Sequence, residues 1–182
     1  MKHLLLLFIL LYSQQVIFSQ QFYTDKGVIK FDGSKAAFEP IRASNDNTVS
    51  IIDSFTGQIA AVILISEFDF RLGLMQEHFN ENYLESNLYP NSTFEGQIKN
   101  FSLKELDQEF KEHEIEGVLT IKGINNDIIT KAKIRKIDEK IELLSDFSVM
   151  LSDYKIKIPK IVFKKIDEEV KINLNFVYER KQ

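Results

Sequence analysis

The 182-residue chain has no cysteine and no tryptophan, and only three prolines and seven glycines. Without thiols there is no disulfide, no thiolate nucleophile and no Cys-based zinc or iron–sulfur site, so stability rests on packing alone. No Pro-, Gly- or Ser-rich linker divides the chain, and the roughly 160 residues that follow an N-terminal leader suffice for one domain with a real core. Histidine is nearly as scarce: beyond the leader only His78 and His113 remain. With no HExxH spacing, no Gly-rich phosphate loop and no nucleophile elbow, no catalytic residue, metal or cofactor is assigned. His113 with Glu112, Glu114 and Glu116 reads better as an exposed acidic strand than as a cation site. A dominant charge sign is lacking too. With 23 basic and 27 acidic residues and a net charge of −4, the chain has no polyanion footprint, and a nucleic-acid partner is not expected.

Long hydrophobic runs are missing except at the start, where Met1, Lys2 and His3 lead into LLLLFILLY. At about nine residues this run is too short to span roughly 30 Å of hydrocarbon, and small and polar residues follow around Ser19, Gln20 and Gln21. Residues 1–20 therefore read as a cleaved signal peptide in preference to an uncleaved anchor. The expectation is a periplasmic or secreted protein with no stable membrane span after signal removal. No cysteine follows the run, which excludes a lipoprotein anchor on that residue.

What the chain does have is phenylalanine, fifteen of them, and strand alternation. Phe supplies large apolar area with no polar atom needing a partner, so such residues either fill a core or line a dry cavity. From Gly27 the segments VIKF, NTVSIIDSF, QIAAVILISEFDF, STFEGQIKNF, EIEGVLTIKG, DIITKAKIRKI, KIELLSDFSVML and EEVKINLNFVYE read as strands. In the last, Val170, Ile172, Leu174, Phe176 and Tyr178 oppose Lys171, Asn173 and Asn175, the mark of one wet face. Ile128, Thr130, Ala132 and Ile134 oppose Lys131, Lys133 and Arg135 likewise, and Asp138-Glu139-Lys140 fits a tight hairpin. The continuous apolarity of Ile59–Ile65 predicts burial on both faces. Pro159 predicts an edge, a bulge or a break. The expected fold is mainly β, a single antiparallel up-and-down barrel of about eight strands.

One segment breaks the alternation. LMQEHFNENYLESNLYP predicts a helix over about Leu72–Ser86, with Leu72, Met75, Phe79, Tyr83 and Ser86 in one arc and Glu77, Glu81 and Glu85 opposite. Leu74 and Leu84 fall off the stripe, so more than one side of this helix is expected to touch protein; His78 and Asn82 border it. A second, short helix or helical turn near Leu103–Phe110, introduced by capping-box spacing at Ser102–Glu105, competes with a hairpin excursion. Lys155, Lys157, Lys160, Lys164 and Lys165 form a basic stretch that is either a solvated face or an anionic head-group site.

These residues resemble the YceI-like family of secreted bacterial proteins, lipocalin-like and polyisoprenoid-binding. The resemblance covers nearly all of the chain after the leader, a domain spanning 22–182. It is carried by Met75, His78, Phe79, Tyr89, Pro90, Thr93, Phe94 and Gly96, by Gly117-Val118-Leu119-Thr120-Ile121-Lys122-Gly123, and by DYKIKIP ahead of the terminal strand. The SLKELDQEFKEHE segment is longer and more acidic than the resemblance implies. The resemblance implies an extended barrel with a helix packed at it and a long isoprenoid chain inside. The expected function is binding of a polyisoprenoid, quinone or other lipid, without catalysis. A filled barrel acting as a structural or interaction partner in the cell envelope is the alternative. Met75, His78, Phe79 and Tyr83 on the helix, and Val149, Leu151, Ile172, Leu174 and Phe176 on strands, are the candidate ligand contacts. Interior volume separates the two functions, since a carrier needs a cavity of several hundred Å³.

Overall fold

A computed structural model describes residues 21–35, 38–160 and 164–181; the expected signal peptide lies outside the described residues. The β-rich alternation becomes β1 (Gln21–Ser34), β2 (Arg42–Asp53), β3 (Gln58–Leu64), a two-residue β4 (Asp69–Phe70), β5 (Asn91–Ile98), β6 (Lys111–Ile121), β7 (Ile124–Ile137), β8 (Lys140–Met150) and β9 (Ile166–Arg180). All pairings are antiparallel, in the order β1-β9-β8-β7-β6-β5-β3-β2, and β2 returns to β1, which closes an eight-stranded barrel. β4 pairs only with the start of β2, through Ala43 and Phe70. Closure leaves the barrel wall without a free edge.

The up-and-down order sorts the connections between two ends. The mouth end carries the β1–β2 loop, the long excursion between β3 and β5, the β6–β7 turn and the β8–β9 connection. The base end carries the β2–β3, β5–β6 and β7–β8 connections. Two of the turns are tight. Ile121 pairs with Ile124 across Lys122-Gly123, whose φ angles of 52° and 70° are those of a type I′ hairpin. Ile137 pairs with Lys140 across Asp138-Glu139. The expected break at Pro159 is present, since β8 ends at Met150 and β9 begins only at Ile166.

Two expectations are corrected and one open alternative is resolved. The β3 segment is not buried on both faces: Ile59, Ala61 and Ile63 point inward, while Val62 and Leu64 are each 42% exposed. No described element covers Val62 and Leu64 on the outside of β3, because the helix sits at the barrel end. That helix is also shorter than Leu72–Ser86. It consists of α1 (Gly73–His78) and a π turn over Phe79–Tyr83, 11 residues in all. In the wide turn Leu84 N–H bonds Phe79 C=O at 2.9 Å, and Glu85 at φ 50° ends the helical path. The extra residue moves Leu84 into the inward position that an α-helix would reach one residue sooner, so it is buried although the α-helical stripe excludes it. Of the alternatives for Leu103–Phe110, the helical turn is present, a 3₁₀ turn at Leu103–Glu105 that Ser102 does not cap through its side chain. Leu106 is instead pulled into the core, and Asp107 C=O accepts Lys136 N–H at 2.8 Å, tying the segment to β7 at the base.

The base is closely packed. Phe22, Ile52, Ile98, Ile134, Ile141 and Tyr178 are almost wholly withdrawn from solvent. Within this apolar set one polar pair is satisfied: Ser50 Oγ donates to Ala60 C=O at 2.8 Å and lies 2.9 Å from the Tyr178 hydroxyl.

Candidate functional site: an apolar cavity at the barrel mouth

Above the base, the inward side chains stop filling the barrel and leave a cavity of about 490 Å³. Alternation builds its wall, since every second residue of a strand faces inside. β3 contributes Ile59, Ala61 and Ile63; β6 contributes Ile115, Leu119 and Ile121; β9 contributes Val170, Ile172, Leu174 and Phe176.

Glycines help to make the space. Gly96 and Gly117 face each other across β5 and β6, and a Cβ on Gly96 would come within 2.6 Å of the Phe94 ring. The ring lies over this glycine pair instead of projecting further across the interior, and Phe94 lines the cavity from there.

At the mouth the rings of Phe31, Phe68, Phe70 and Phe79 form one cluster. Phe79 from the π turn stacks on Phe31 of β1 with centroids 5.4 Å apart, and meets Phe68 and Phe70 at 5.5 and 5.0 Å. The excursion between β3 and β5 is thereby fastened to β1 on the other side of β2. Apolar ring contacts of this kind add to the area they bury.

The cavity's few polar groups are spent or peripheral. Ser145 Oγ donates to Lys131 C=O at 2.7 Å and lies 3.3 Å from Thr130 Oγ1, so the wall holds both hydroxyls. Burial pushes the Tyr83 hydroxyl above its ordinary range and keeps it neutral. Among the described residues of the lining, the ionisable side chains apart from Tyr83 are Glu39, His78 and Lys165. Glu39 is paired with Arg71 at 2.6 Å. Such a space can exclude water from an apolar chain.

All nine sequence-predicted contacts lie in the lining: Met75, His78, Phe79 and Tyr83 from the helical excursion, Val149 from the end of β8, Leu151 not from a strand but from the 3₁₀ turn Leu151–Tyr154 that follows it, and Ile172, Leu174 and Phe176 from β9. Their environments differ. Phe176 and Val149 are buried; Met75, Phe79, Tyr83, Leu151, Ile172 and Leu174 are half-buried; His78 is exposed. Sequence reasoning missed Phe31, Phe68 and Phe70. The first stands in the alternating VIKF and the others in EFDF, so alternation was the available signal, but only closure shows that they converge on Phe79. Phe94 was noted as a family position without a role.

A family model for the YceI-like domain matches residues 21–178. Among solved structures, the chain is similar to a polyisoprenoid binding domain from Saccharophagus degradans implicated in plant cell wall breakdown. The TM-score is 0.77 at 13% identity, covering 90% of this chain and 99% of that one. It is also similar to Burkholderia cenocepacia BcnA, with TM-score 0.69, 16% identity and coverage of 84% and 96%. A Campylobacter jejuni YCEI protein gives TM-score 0.63, 16% identity and coverage of 81% and 89%. At these identities the likeness establishes the fold. No curated protein matches the sequence.

Proposed function

The chain belongs to the YceI-like family, and from that premise we propose that it is a periplasmic or secreted binding protein whose barrel holds a long apolar chain, a polyisoprenoid, a quinone or another lipid. The observation that carries this reading is the cavity of about 490 Å³, walled almost entirely by aliphatic and phenyl side chains over a packed base. A space of that size falls within the range of small-molecule sites. Each buried methylene contributes about 0.8 kcal/mol, so some twenty carbons supply about 16 kcal/mol before the cost of association, which is on the order of 4–15 kcal/mol. Tight binding then needs no catalytic group. Export by the leader at residues 1–20 and the lack of an enzymatic step belong to the same proposal.

In this reading Phe79 and its ring partners grip the chain near the mouth, Met75 and Tyr83 form the helical side, and Ile172, Leu174 and Phe176 the opposing wall. His78, exposed at the edge, is placed to meet a polar head. Native mass spectrometry of gently purified protein, followed by extraction, is the direct test. A co-purifying or loadable long-chain lipid is expected, and failure to load any would overturn the proposal. Phe79→Asp is expected to reduce loading at least tenfold, because a carboxylate set among the mouth phenyl rings and the lost ring contacts cost more than about 1.4 kcal/mol. A Phe79→Asp protein that loads normally would remove Phe79 from the site.

The second reading is an interaction role in the envelope without a lipid. The exposed Val49, Val62 and Leu64 on the outer face of β2 and β3 favour it, and normal complex formation by unloadable protein would support it.

A further inference from the structure

Leu74 lies off the helical stripe formed by Met75, Phe79 and Tyr83, and it is 63% exposed, yet it belongs to the lining of the cavity. Leu72 beside it is likewise exposed and likewise in the lining. These two residues therefore stand at the mouth, with apolar surface facing both the cavity and solvent. The β1–β2 loop adds an exposed Phe38 at the same end. That loop is stitched to the end of the β8–β9 connection, since Lys35 N–H bonds Lys165 C=O at 3.1 Å.

The β8–β9 connection is the most basic stretch of the molecule. Lys155, Lys157, Lys160, Lys164 and Lys165 are all exposed, while Ile156 between the first two is buried and lines the cavity. Alternation thus presents isoleucine inward and lysine outward at the rim. None of the five lysines forms an ion pair with a described residue, and Lys165 itself lines the mouth. Two acids of this end are held in ion pairs. Glu39 is held by Arg71 at 2.6 Å and Glu85 by Lys122 at 2.5 Å. Glu67, Asp69, Glu77, Glu81 and Asp153, like Lys155, Lys157, Lys160 and Lys164, stand outside the cavity lining, and Asp167, Glu168 and Glu169 open β9 directly after Lys165, so the basic patch is bounded on the β9 side by acids.

We propose that this rim is a docking surface for an anionic phospholipid membrane, with the β8–β9 lysines among the head groups and Leu72, Leu74 and Phe38 in the interfacial layer. A basic cluster beside exposed apolar residues has the two components of peripheral membrane binding. The net charge of −4 would repel the molecule as a whole from such a surface, so attraction must come from a local patch, and it orients the mouth toward the bilayer. Because the exposed leucines are continuous with the cavity, an apolar chain can pass from bilayer to barrel without exposing its methylenes to water. This use of the rim rests on the cavity being a lipid site.

Sedimentation of the protein with vesicles tests docking separately from loading. The protein is expected to sediment with mixed phosphatidylcholine–phosphatidylglycerol vesicles at low ionic strength and to remain in solution with pure phosphatidylcholine. Binding should vanish in roughly 0.5 M salt, where the Debye length falls to about 4 Å. Replacing Lys160, Lys164 and Lys165 by Glu should weaken binding by about fivefold or more per lysine. Leu74→Ser should weaken it several-fold with an unchanged melting temperature, since the side chain is already exposed. Wild-type protein that ignores the mixed vesicles, or variants that bind them normally, would overturn the proposal. So would a concentration-dependent dimer dissolved by Leu74→Ser, which would make the rim a self-association surface. Vesicle binding by protein that cannot be loaded would sink the lipid-site reading and leave docking standing.

Discussion

Tyr178 is the residue whose chemistry is most altered by its position. Burial raises its hydroxyl far above the ordinary 10.0, against a smaller lowering by the Ser50 hydrogen bond. A group whose pKa is raised on folding keeps its contribution below the unfolded value and loses it as pH climbs. Stability is therefore expected to be insensitive to this group below pH 10.0 and to fall above it, approaching about 1.4 kcal/mol per pH unit for one proton. Tyr83 and Tyr154, also raised by burial, add smaller shares. Denaturant melts across alkaline pH, with and without Tyr178→Phe, check this; a variant with the same slope as wild type would refute the assignment. The neighbouring floor of the barrel was readable in part, since alternation put Tyr178 on the inward face, but its partner Ser50 lies 128 residues away. No local pattern joins them.

Among the elements, the helical excursion differs most from its sequence pattern. Its stripe of Met75, Phe79 and Tyr83 was legible from a 100° periodicity, and its inward face is the one expected. Leu84 was not, because the π turn changes the phase after Phe79. Leu84→Ala should cost about 2–4 kcal/mol, as for other buried leucines, whereas exposed Leu88→Ala should change stability by less than about 0.5 kcal/mol. Equal effects in urea titrations would contradict the burial produced by the π turn. The β6–β7 turn offers a second element-scale check. Gly123 has φ 70°, and a Cβ there would lie 2.8 Å from the Tyr89 ring. Gly123→Val should destabilise the protein by about 1–3 kcal/mol through both strain and contact, detectable as a lowered melting temperature.

For the whole molecule, stability and binding occupy different halves of one barrel. The base, with Ile98 and Ile141 fully buried, carries packing; the mouth half carries space. Ile141→Ala is expected to lose about 2–5 kcal/mol of stability while leaving the lipid capacity of the folded fraction unchanged. Leu174→Ala, on a half-buried cavity wall, should cost less stability and alter which chain lengths load, because it enlarges the space a ligand fills. Parallel denaturation and mass-spectrometric loading of the two variants separate these outcomes, and a base variant that selectively loses loading would disprove the division.

Local chemistry in the sequence sufficed for the barrel class, the strand faces of β7 and β9, the break at Pro159 and the one helical excursion. Each depends on residues adjacent in the chain, through alternation with period two, proline's missing donor or a helical stripe. Closure decided the rest. Whether the fifteen phenylalanines fill a core or line a cavity could not be read from composition, because empty volume is the difference between the barrel's girth and the side chains pointing into it. That difference is set by strands distant in sequence: Phe94 over Gly96 and Gly117, and Phe31 stacked on Phe79. The shortness of the helical turn at Leu103–Glu105 has the same origin, since a capping-box pattern is a local preference and the burial of Leu106 a tertiary gain that outweighs it. Hence the inward residues were legible one strand at a time, and the cavity they enclose only from all the strands together.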